Sequence, residues 1–311
     1  MESWKVTLPC TRAEAEILKE DITPFAMLDT VPVLMTSEVD ATRPNDWRLD
    51  IYFEEEPSGQ TVAIAKRLVP SAKGTEAVVT KLDAEDWVAI SQAGLEPICE
   101  GQFFIHTPVH RDEVPSDALS FEIDAGQAFG TGHHETTAGC LAVLAGLKAR
   151  GYRFRNVADI GTGTGLLAFA ALALWPNARA IASDNDPLAI DVAEQNAAIN
   201  TIRMGNRAGQ LELVIAAGMV HRRLRARSPY DLLIANILAG PLIDLAPSFA
   251  NATAPGGTLI LAGLLNKQAD AVTAAYHRQR FRLSEKLNRG EWSILRLEKR
   301  HVRGHRPAFR A

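Results

Sequence analysis

The segment VADIGTGTGL, residues 157–166, decides the fold. Its apolar start is typical of a buried strand, and the ten-residue apolar run from Leu166 to Trp175 predicts the helix that follows. Three alternate glycines stand between the two elements, where glycine lets the backbone turn sharply and approach a ligand. The first N–H groups of the helix would face that ligand. The segment therefore predicts a ligand site at the carboxyl end of a strand.

The residues around this loop favour a nucleoside ligand without phosphates. The dinucleotide fingerprint GxGxxG needs glycine where Leu166 stands, which disfavours a NAD-dependent oxidoreductase. Asp159 precedes the loop, where a carboxylate repels a pyrophosphate but suits a cationic amine; alternatively, it only accepts hydrogen bonds within the loop. Asp184 ends the next predicted strand, 23 residues after Gly161, where a carboxylate can accept both ribose hydroxyls. We therefore predict S-adenosylmethionine as the cofactor, held by the loop glycines, Gly161 and Gly163, and by Asp184.

Length and composition exclude several classes of protein. The chain has 311 residues, enough for two domains, and 47% apolar with 23% charged residues excludes disordered and fibrous proteins. The longest apolar run is half of a membrane span, and no basic segment followed by a hydrophobic stretch opens the sequence, so we expect no signal peptide. Three distant cysteines without a CxxC pair argue against a zinc site or a disulfide framework and for a cytoplasmic location.

The charges are distributed unevenly. Residues 1–120 hold 22 acidic and 10 basic side chains, whereas residues 121–311 hold 15 acidic and 23 basic ones. An acidic N-terminal part is expected to attract a basic partner and to repel nucleic acid. The alternative is an ordinary solvated surface, which would have the same excess of acidic residues. Five of the last thirteen residues are basic. This tail predicts a frayed terminus, with affinity for RNA or the ribosome as the alternative.

Two patterns of predicted elements follow each other along the chain. The front third has the order β-α-β-β-α-β, which is typical of small ferredoxin-like domains. From about residue 121, apolar strands alternate with helices, which indicates a parallel sheet covered on both faces. Two runs near the end, 281–287 and 292–297, predict an antiparallel hairpin. We therefore predict an α/β protein with domains at 1–82 and 121–298, a connector at 83–120 and a basic tail at 299–311.

Further motifs identify a family. AFGTGHHETT (128–137) precedes a predicted helix, and NILAGPL (236–242) follows the fourth parallel strand, where the sheet rule places ligands. Together with DIGTGTG (159–165), SDNDP (183–187) and GEW (290–292), these segments make the chain resemble the ribosomal protein methyltransferase family of the PrmA type, which modifies the eleventh protein of the large ribosomal subunit. The resemblance covers essentially the whole chain before the basic tail. Many members have GTGTHPTT, whereas this chain has His133 and Glu135.

The resemblance implies a fold, an activity and a set of site residues. The expected fold is a seven-stranded, doubly wound, Rossmann-like methyltransferase domain after a ferredoxin-like recognition domain. The expected reaction is S-adenosylmethionine-dependent N-methylation of lysine side chains, and of the N-terminal amine, of that ribosomal protein. The cofactor contacts carry over to Thr137, Gly161, Asp184 and Asn236.

The residue types fit those roles. The Thr137 hydroxyl can donate to the methionine carboxylate, and the start of its helix adds a favourable dipole. The Asn236 amide oxygen can accept from an incoming amine, which makes Asn236 the predicted catalytic residue. His133 and His134 lack the spacing of a metal site or a triad, so we interpret them as loop hydrogen-bonding or lid residues, with a general base as the alternative, and predict no metal.

Other functions remain open at this stage. The same fold could act on another protein, a small molecule or RNA. RNA and DNA amino-methyltransferases typically have Asn or Asp followed by two prolines and an aromatic residue, whereas here Asn236 is followed by Ile and Leu, which disfavours a nucleic-acid substrate. A non-catalytic ribosome-associated binding protein is a further alternative. As partner we expect a basic ribosomal protein, with no membrane and no nucleic acid except through the tail.

Overall fold

The computed structural model describes residues 3–18, 32–39, 45–53, 55–82, 97–123 and 133–301. The chain divides into two compact units, Met1–Leu95 and Glu96–Ala311. This division falls inside the predicted connector, whose first part lies outside the described residues. The predicted domain limits themselves stay predictions.

The first unit contains a four-stranded antiparallel sheet. Its elements are β1 (Ser3–Cys10), α1 (Arg12–Leu18), β2 (Val33–Glu38), β3 (Trp47–Phe53), α2 (Gly59–Leu68) and β4 (Val78–Leu82). The strand order is β2-β3-β1-β4, and this order with this succession of elements confirms the ferredoxin-like prediction. A reciprocal capping box starts α1, because Thr11 N donates to Glu14 Oε2 (2.8 Å) and Glu14 N donates to Thr11 Oγ1 (3.3 Å).

The second unit is built around a seven-stranded sheet. Before the sheet come β5 (Ile98–Glu100), β6 (Phe103–His106), β7 (Leu119–Glu122) and α3 (His133–Ala149). The sheet region comprises β8 (Asn156–Ile160), α4 (Leu166–Leu174), β9 (Arg179–Asp184), α5 (Pro187–Ile199), β10 (Leu211–Ile215), α6 (Arg222–Arg227), β11 (Tyr230–Asn236), α7 (Ala239–Ala252), β12 (Thr253–Leu265), α8 (Ala269–Arg278), β13 (Phe281–Arg289) and β14 (Trp292–Lys299).

The sheet has the strand order β10-β9-β8-β11-β12-β14-β13. The strands from β8 to β12 pair in parallel, whereas β14 is antiparallel to both of its neighbours. This confirms the predicted doubly wound sheet and its closing hairpin. The order reverses between β8 and β11, and in such sheets ligands bind at that point, outside the carboxyl ends of the strands.

Apolar side chains cover both faces of this sheet. One core cluster joins α3 and α4 to the sheet, with Leu141, Leu144 and Phe169 fully enclosed. The other joins α7 and α8 to the opposite face through Phe249 and Tyr276. Strands buried on both faces are continuously apolar, which is why the sequence reveals them as apolar runs rather than as alternating patterns.

The second half of the predicted connector is part of the second unit. There β5, β6 and β7 form a separate three-stranded sheet, in which β6 pairs with β7 in parallel. Phe103, Ile105 and Phe121 of this sheet belong to the first of the two core clusters. The described part of the predicted connector therefore packs into the core of the second unit, while the limits of the connector, 83–120, stay a prediction. None of the helices in the described ranges combines the length and apolar character of a membrane crossing.

Candidate active site

The glycine loop after β8 is held against the end of β9. The N–H groups of Gly161 and Thr162 both donate to the Ser183 carbonyl oxygen, at 2.8 and 2.9 Å. The φ angles of Gly161, Gly163 and Gly165 are 73°, 54° and 86°, all in the left-handed region that favours glycine. The predicted turn at the carboxyl end of the strand is thus present.

The three glycines have different surroundings. A Cβ added to Gly161 would lie 2.2 Å from Ile237 Cγ2, and one added to Gly165 would lie 2.6 Å from Phe169 Cζ. Gly161 therefore allows the chain after β11 to approach, and Gly165 allows α4 to pack. A Cβ on Gly163 would meet no atom of the described chain within 4 Å. The described residues thus leave space beside Gly163, as a ligand-facing position requires.

Asp184 lies beside the loop, at the end of β9. Its Oδ2 accepts from Gly163 N (2.9 Å), and its Oδ1 accepts from Asp186 N (3.2 Å). Asp186 caps α5 by accepting from Leu188 N (2.9 Å), with Pro187 as the first helical residue. Each Asp184 oxygen has a second acceptor position, so the carboxylate remains able to accept two hydroxyls.

Thr137 and Asn236 meet across the sheet edge although they are 99 positions apart. Asn236 Nδ2 donates to Thr137 Oγ1 over a long 3.4 Å, and both side chains are largely shielded from solvent. Asn236 Oδ1 is buried and has no hydrogen-bond partner among the described residues. Buried acceptors are normally paired, so this oxygen is available to a donor that enters the site.

Asp159 is the most perturbed acid of the site. It is 1% exposed, and burial raises the pKa of its carboxyl group to about 7. The Thr162 hydroxyl, which donates to Asp159 Oδ2 (2.7 Å), opposes this rise, while the charge of Asp184 adds to it. Asp159 Oδ1 has no partner in the described part of the chain. One oxygen therefore stabilises the loop, and the other is free for a donor.

The segment after Asn236 also belongs to the site. Leu238, two residues after Asn236, is 68% exposed. Gly263, in β12, has a φ of 83°, and a Cβ there would lie 2.5 Å from the Ile237 carbonyl oxygen. Gly263 was not predicted from the sequence; the signal that could have found it is a glycine inside an otherwise apolar strand, which often marks a close backbone approach.

The hairpin turn that carries GEW is fixed next to the start of α3. Asn266 Nδ2 donates to the Gly290 carbonyl oxygen (2.8 Å), and Ser293 Oγ donates to Asn266 Oδ1 (2.7 Å). A Cβ on Gly290 would lie 2.9 Å from Glu135 Oε1. The fold thus brings this turn to the helix that presents Thr137.

Three exposed apolar residues at the same edge were not singled out from the sequence: Leu188, Ile215 and Val220. Ile215 is the last residue of β10, while Leu188 and Val220 follow the ends of β9 and β10; an exposed apolar residue at or just after a strand end is the signal that could have found them. Residues 128–132 and the side chains of His133 and His134 lie outside the described part. No group of three His, Cys, Asp or Glu residues within the described ranges is placed to hold a metal ion.

Comparison with known proteins places this site in a family. The sequence pattern of the family described as ribosomal protein L11 methyltransferase (PrmA) matches residues 6–300. A protein named ribosomal protein L11 methyltransferase from Brucella suis is 38% identical over 298 residues, which cover 96% of this chain and all of that protein. One of the same name from Agrobacterium fabrum is 39% identical over 268 residues, 86% of this chain and 89% of that protein.

A solved structure agrees with these relatives. The crystal structure of a ribosomal protein L11 methylase from Lactobacillus delbrueckii subsp. bulgaricus has a TM-score of 0.56 and 29% identity to this chain. It covers 67% of this chain and all of the solved chain. On its glycine loop, its sheet order and these matches, the chain belongs to the ribosomal protein L11 methyltransferase (PrmA) family.

Proposed function

We propose that this protein uses S-adenosylmethionine to methylate ribosomal protein L11 on lysine side chains and on the N-terminal amine. The observation that carries the proposal is the buried, unpartnered Asn236 Oδ1 beside Thr137, at the carboxyl edge of the sheet. A lone amide acceptor at this edge can accept an N–H of an entering amine. The names of the relatives support L11 as the substrate.

The residues present fit the cofactor. Asp184 suits the ribose hydroxyls, Gly163 leaves room next to it, and Asp159 Oδ1 suits the amino group of the methionine part. The Thr137 hydroxyl at the start of α3 suits the methionine carboxylate. When bound, the cofactor supplies a methyl group activated by a sulfonium. These four assignments are proposals about this chain's own residues.

Asn236 positions the acceptor in this mechanism. Its Oδ1 accepts one N–H of the entering amine and so directs the nitrogen lone pair, while Thr137 accepts from Asn236 Nδ2 and fixes the amide orientation. Positioning of two reactants contributes about 7–11 kcal/mol to catalysis in favourable cases. A lysine with an ordinary pKa of about 10.4 must lose a proton first, and desolvation in the site lowers that pKa. We propose no dedicated general base.

Charge supports a basic protein as substrate. Residues 1–120 hold 22 acidic and 10 basic side chains, and the first unit falls within this acidic part. We propose that the first unit is the recognition domain and attracts the basic ribosomal protein. Substrate affinity should then fall as salt rises from low to physiological concentration. The three free cysteines and the ribosomal substrate support a cytoplasmic location.

Intact-protein mass spectrometry tests the proposal. Purified ribosomal protein L11 is incubated with the enzyme and S-adenosylmethionine, and fragmentation then locates each added methyl group. We expect methyl increments on lysine side chains and on the N-terminal amine. Methyl groups on other residue types would contradict the lysine assignment. No increment, with cofactor binding confirmed by calorimetry, would move the acceptor to another protein, a small molecule or RNA.

A matched pair of variants tests the role of Asn236. Asn236→Ala should abolish methylation, whereas Asn251→Ala, the same change at an exposed position near the end of α7, should leave it unchanged. Calorimetry with the cofactor separates loss of binding from loss of turnover. Retained turnover of Asn236→Ala with intact cofactor binding would remove the proposed role.

A further inference from the structure

Arginines collect at the amino edge of the seven-stranded sheet, opposite the edge of the candidate active site. Residues 151–236 contain nine arginines and no lysine. Arg155 directly precedes β8, and Arg179 is the first residue of β9; they are neighbours, since Arg179 N donates to the Arg155 carbonyl oxygen (3.0 Å). Arg203 and Arg207 lie in the segment that leads into β10. Three adjacent strand starts therefore carry arginines.

The short helix α6 adds two exposed arginines, Arg223 and Arg225, to this edge, and the buried Arg227 holds the helix there. Arg227 Nη1 donates to the Ala180 carbonyl oxygen (2.9 Å), which holds the end of α6 against the start of β9. Arg223 pairs with Glu212 at the start of β10. Arg225 is exposed in the last turn of the helix. We call the exposed residues Arg155, Arg179, Arg203, Arg207, Arg223 and Arg225 the arginine edge.

The positive charge of the arginine edge is not neutralised within the described chain. Two carboxylates at this edge have partners among the described residues: Glu212 binds Arg223 and Arg227, and Asp231 accepts the backbone N–H groups of Arg155 and Asn156. Of the six exposed side chains, only Arg223 has an ion pair among the described residues. Like charges face each other here, because Arg179 adds to the effect of burial in lowering the pKa of Arg227.

We infer that the arginine edge binds the phosphate backbone of RNA. A guanidinium group forms two parallel hydrogen bonds to a phosphate and is more weakly hydrated than an ammonium group, which favours arginine over lysine for phosphate recognition. The assignment of RNA as the bound polyanion rests on the proposed ribosomal substrate. The existence of the positively charged arginine edge does not depend on that proposal.

The position of the arginine edge leaves the candidate active site open. The strands β8 to β11 are five to seven residues long, so the two edges are separated by roughly 16–23 Å at about 3.3 Å per residue. RNA held at one edge therefore does not cover Asn236 at the other. The sequence alone predicted nucleic-acid contact only through the tail, because the arginines of this edge are spread over 70 positions.

Fluorescence anisotropy with a short fluorescein-labelled RNA duplex tests the inference. If the six arginines each neutralise one phosphate, affinity should fall on the order of 10³-fold between 50 and 200 mM salt. The triple variant Arg155→Gln/Arg179→Gln/Arg225→Gln should lose only about 40-fold over the same range and bind more weakly at low salt. Unchanged circular dichroism and cofactor binding would establish that the variant is folded. This assay measures RNA binding without methyl transfer. The RNA-binding inference and the proposed methyltransferase function can therefore be refuted independently of each other.

Matched variants exclude other causes. Lys66→Gln/Arg67→Gln/Lys73→Gln removes the same charge from the first unit and should bind RNA like the parent; an equal loss there would overturn the inference. So would loss of binding in Arg303→Gln/Arg306→Gln/Arg310→Gln while the edge variant still binds, since the tail would then be the RNA-binding segment. Binding of labelled polyglutamate as tightly as RNA would instead assign the edge to an acidic protein and contradict the RNA assignment.

Discussion

Replacing Asp159 by Asn removes a carboxyl group that the fold buries almost completely. Burial raises the pKa of this group from 3.8 to about 7, so in the folded chain it holds its proton to a higher pH than in the unfolded chain. The protonated carboxyl thus contributes stability that is fully present below about pH 4. That contribution is lost as the pH rises through 7. Asparagine has no such proton, so its contribution does not change with pH.

The size of the effect follows from the two pKa values. A shift of about 3 units corresponds to about 4 kcal/mol over the full titration. Between pH 5 and pH 8 the linkage gives a loss of about 2.5 kcal/mol in the parent protein. The free energy of unfolding of Asp159→Asn, relative to the parent, should therefore rise by about 2.5 kcal/mol from pH 5 to pH 8.

Urea denaturation followed by circular dichroism at several pH values measures this difference. Comparing variant and parent at each pH removes the titrations that both proteins share. Asp244→Asn, the same substitution at an exposed position of α7, is the control for the change itself. A difference between Asp159→Asn and its parent that stays flat from pH 5 to pH 8 would refute the reasoning.

Two further sites give separate predictions. Gly161→Ala places a Cβ 2.2 Å from Ile237 Cγ2 at a φ of 73°, so we expect a lower Tm in calorimetry and no cofactor binding. Gly163→Ala, with no described atom within 4 Å of the new Cβ, should keep most of the Tm and lose cofactor affinity; equal effects of the two variants on Tm would contradict this. Tyr276→Phe removes the bond from the buried Tyr276 hydroxyl to the Leu242 carbonyl oxygen (2.9 Å). It should lower the free energy of unfolding by about 1 kcal/mol, and no change in urea denaturation would show that the bond adds nothing.

The sequence was most informative for features that depend on residues close to one another along the chain. The loop of residues 159–165 is defined by glycines that occupy left-handed φ angles, and the cap of α5 is defined by Asp186 and Pro187. Both are local and could be predicted from spacing alone. The sheet followed from apolar runs, because strands buried on both faces need no alternation.

Features that join distant residues could not be predicted in the same way. The sequence located Thr137 and Asn236 separately, but only the fold brings them to 3.4 Å. The sheet of β5, β6 and β7 was mostly missed, because strands of three or four residues are too short for a periodic signal. Gly263 was overlooked because the need for glycine there comes from the backbone of Ile237. The roles of the five predicted site residues stay predictions.

The charges at the two edges of the sheet also give the second unit an electric dipole along its strands. Asp184 and Asp186 lie at the carboxyl edge, and the arginine edge lies roughly 20 Å away. In the field of a polyanion this charge separation favours orientations of the second unit in which the arginine edge leads. Its orientation is then selected during diffusion, before any contact forms, and the candidate active site faces away from the anion. This selection should fade as ionic strength shortens the range of the field.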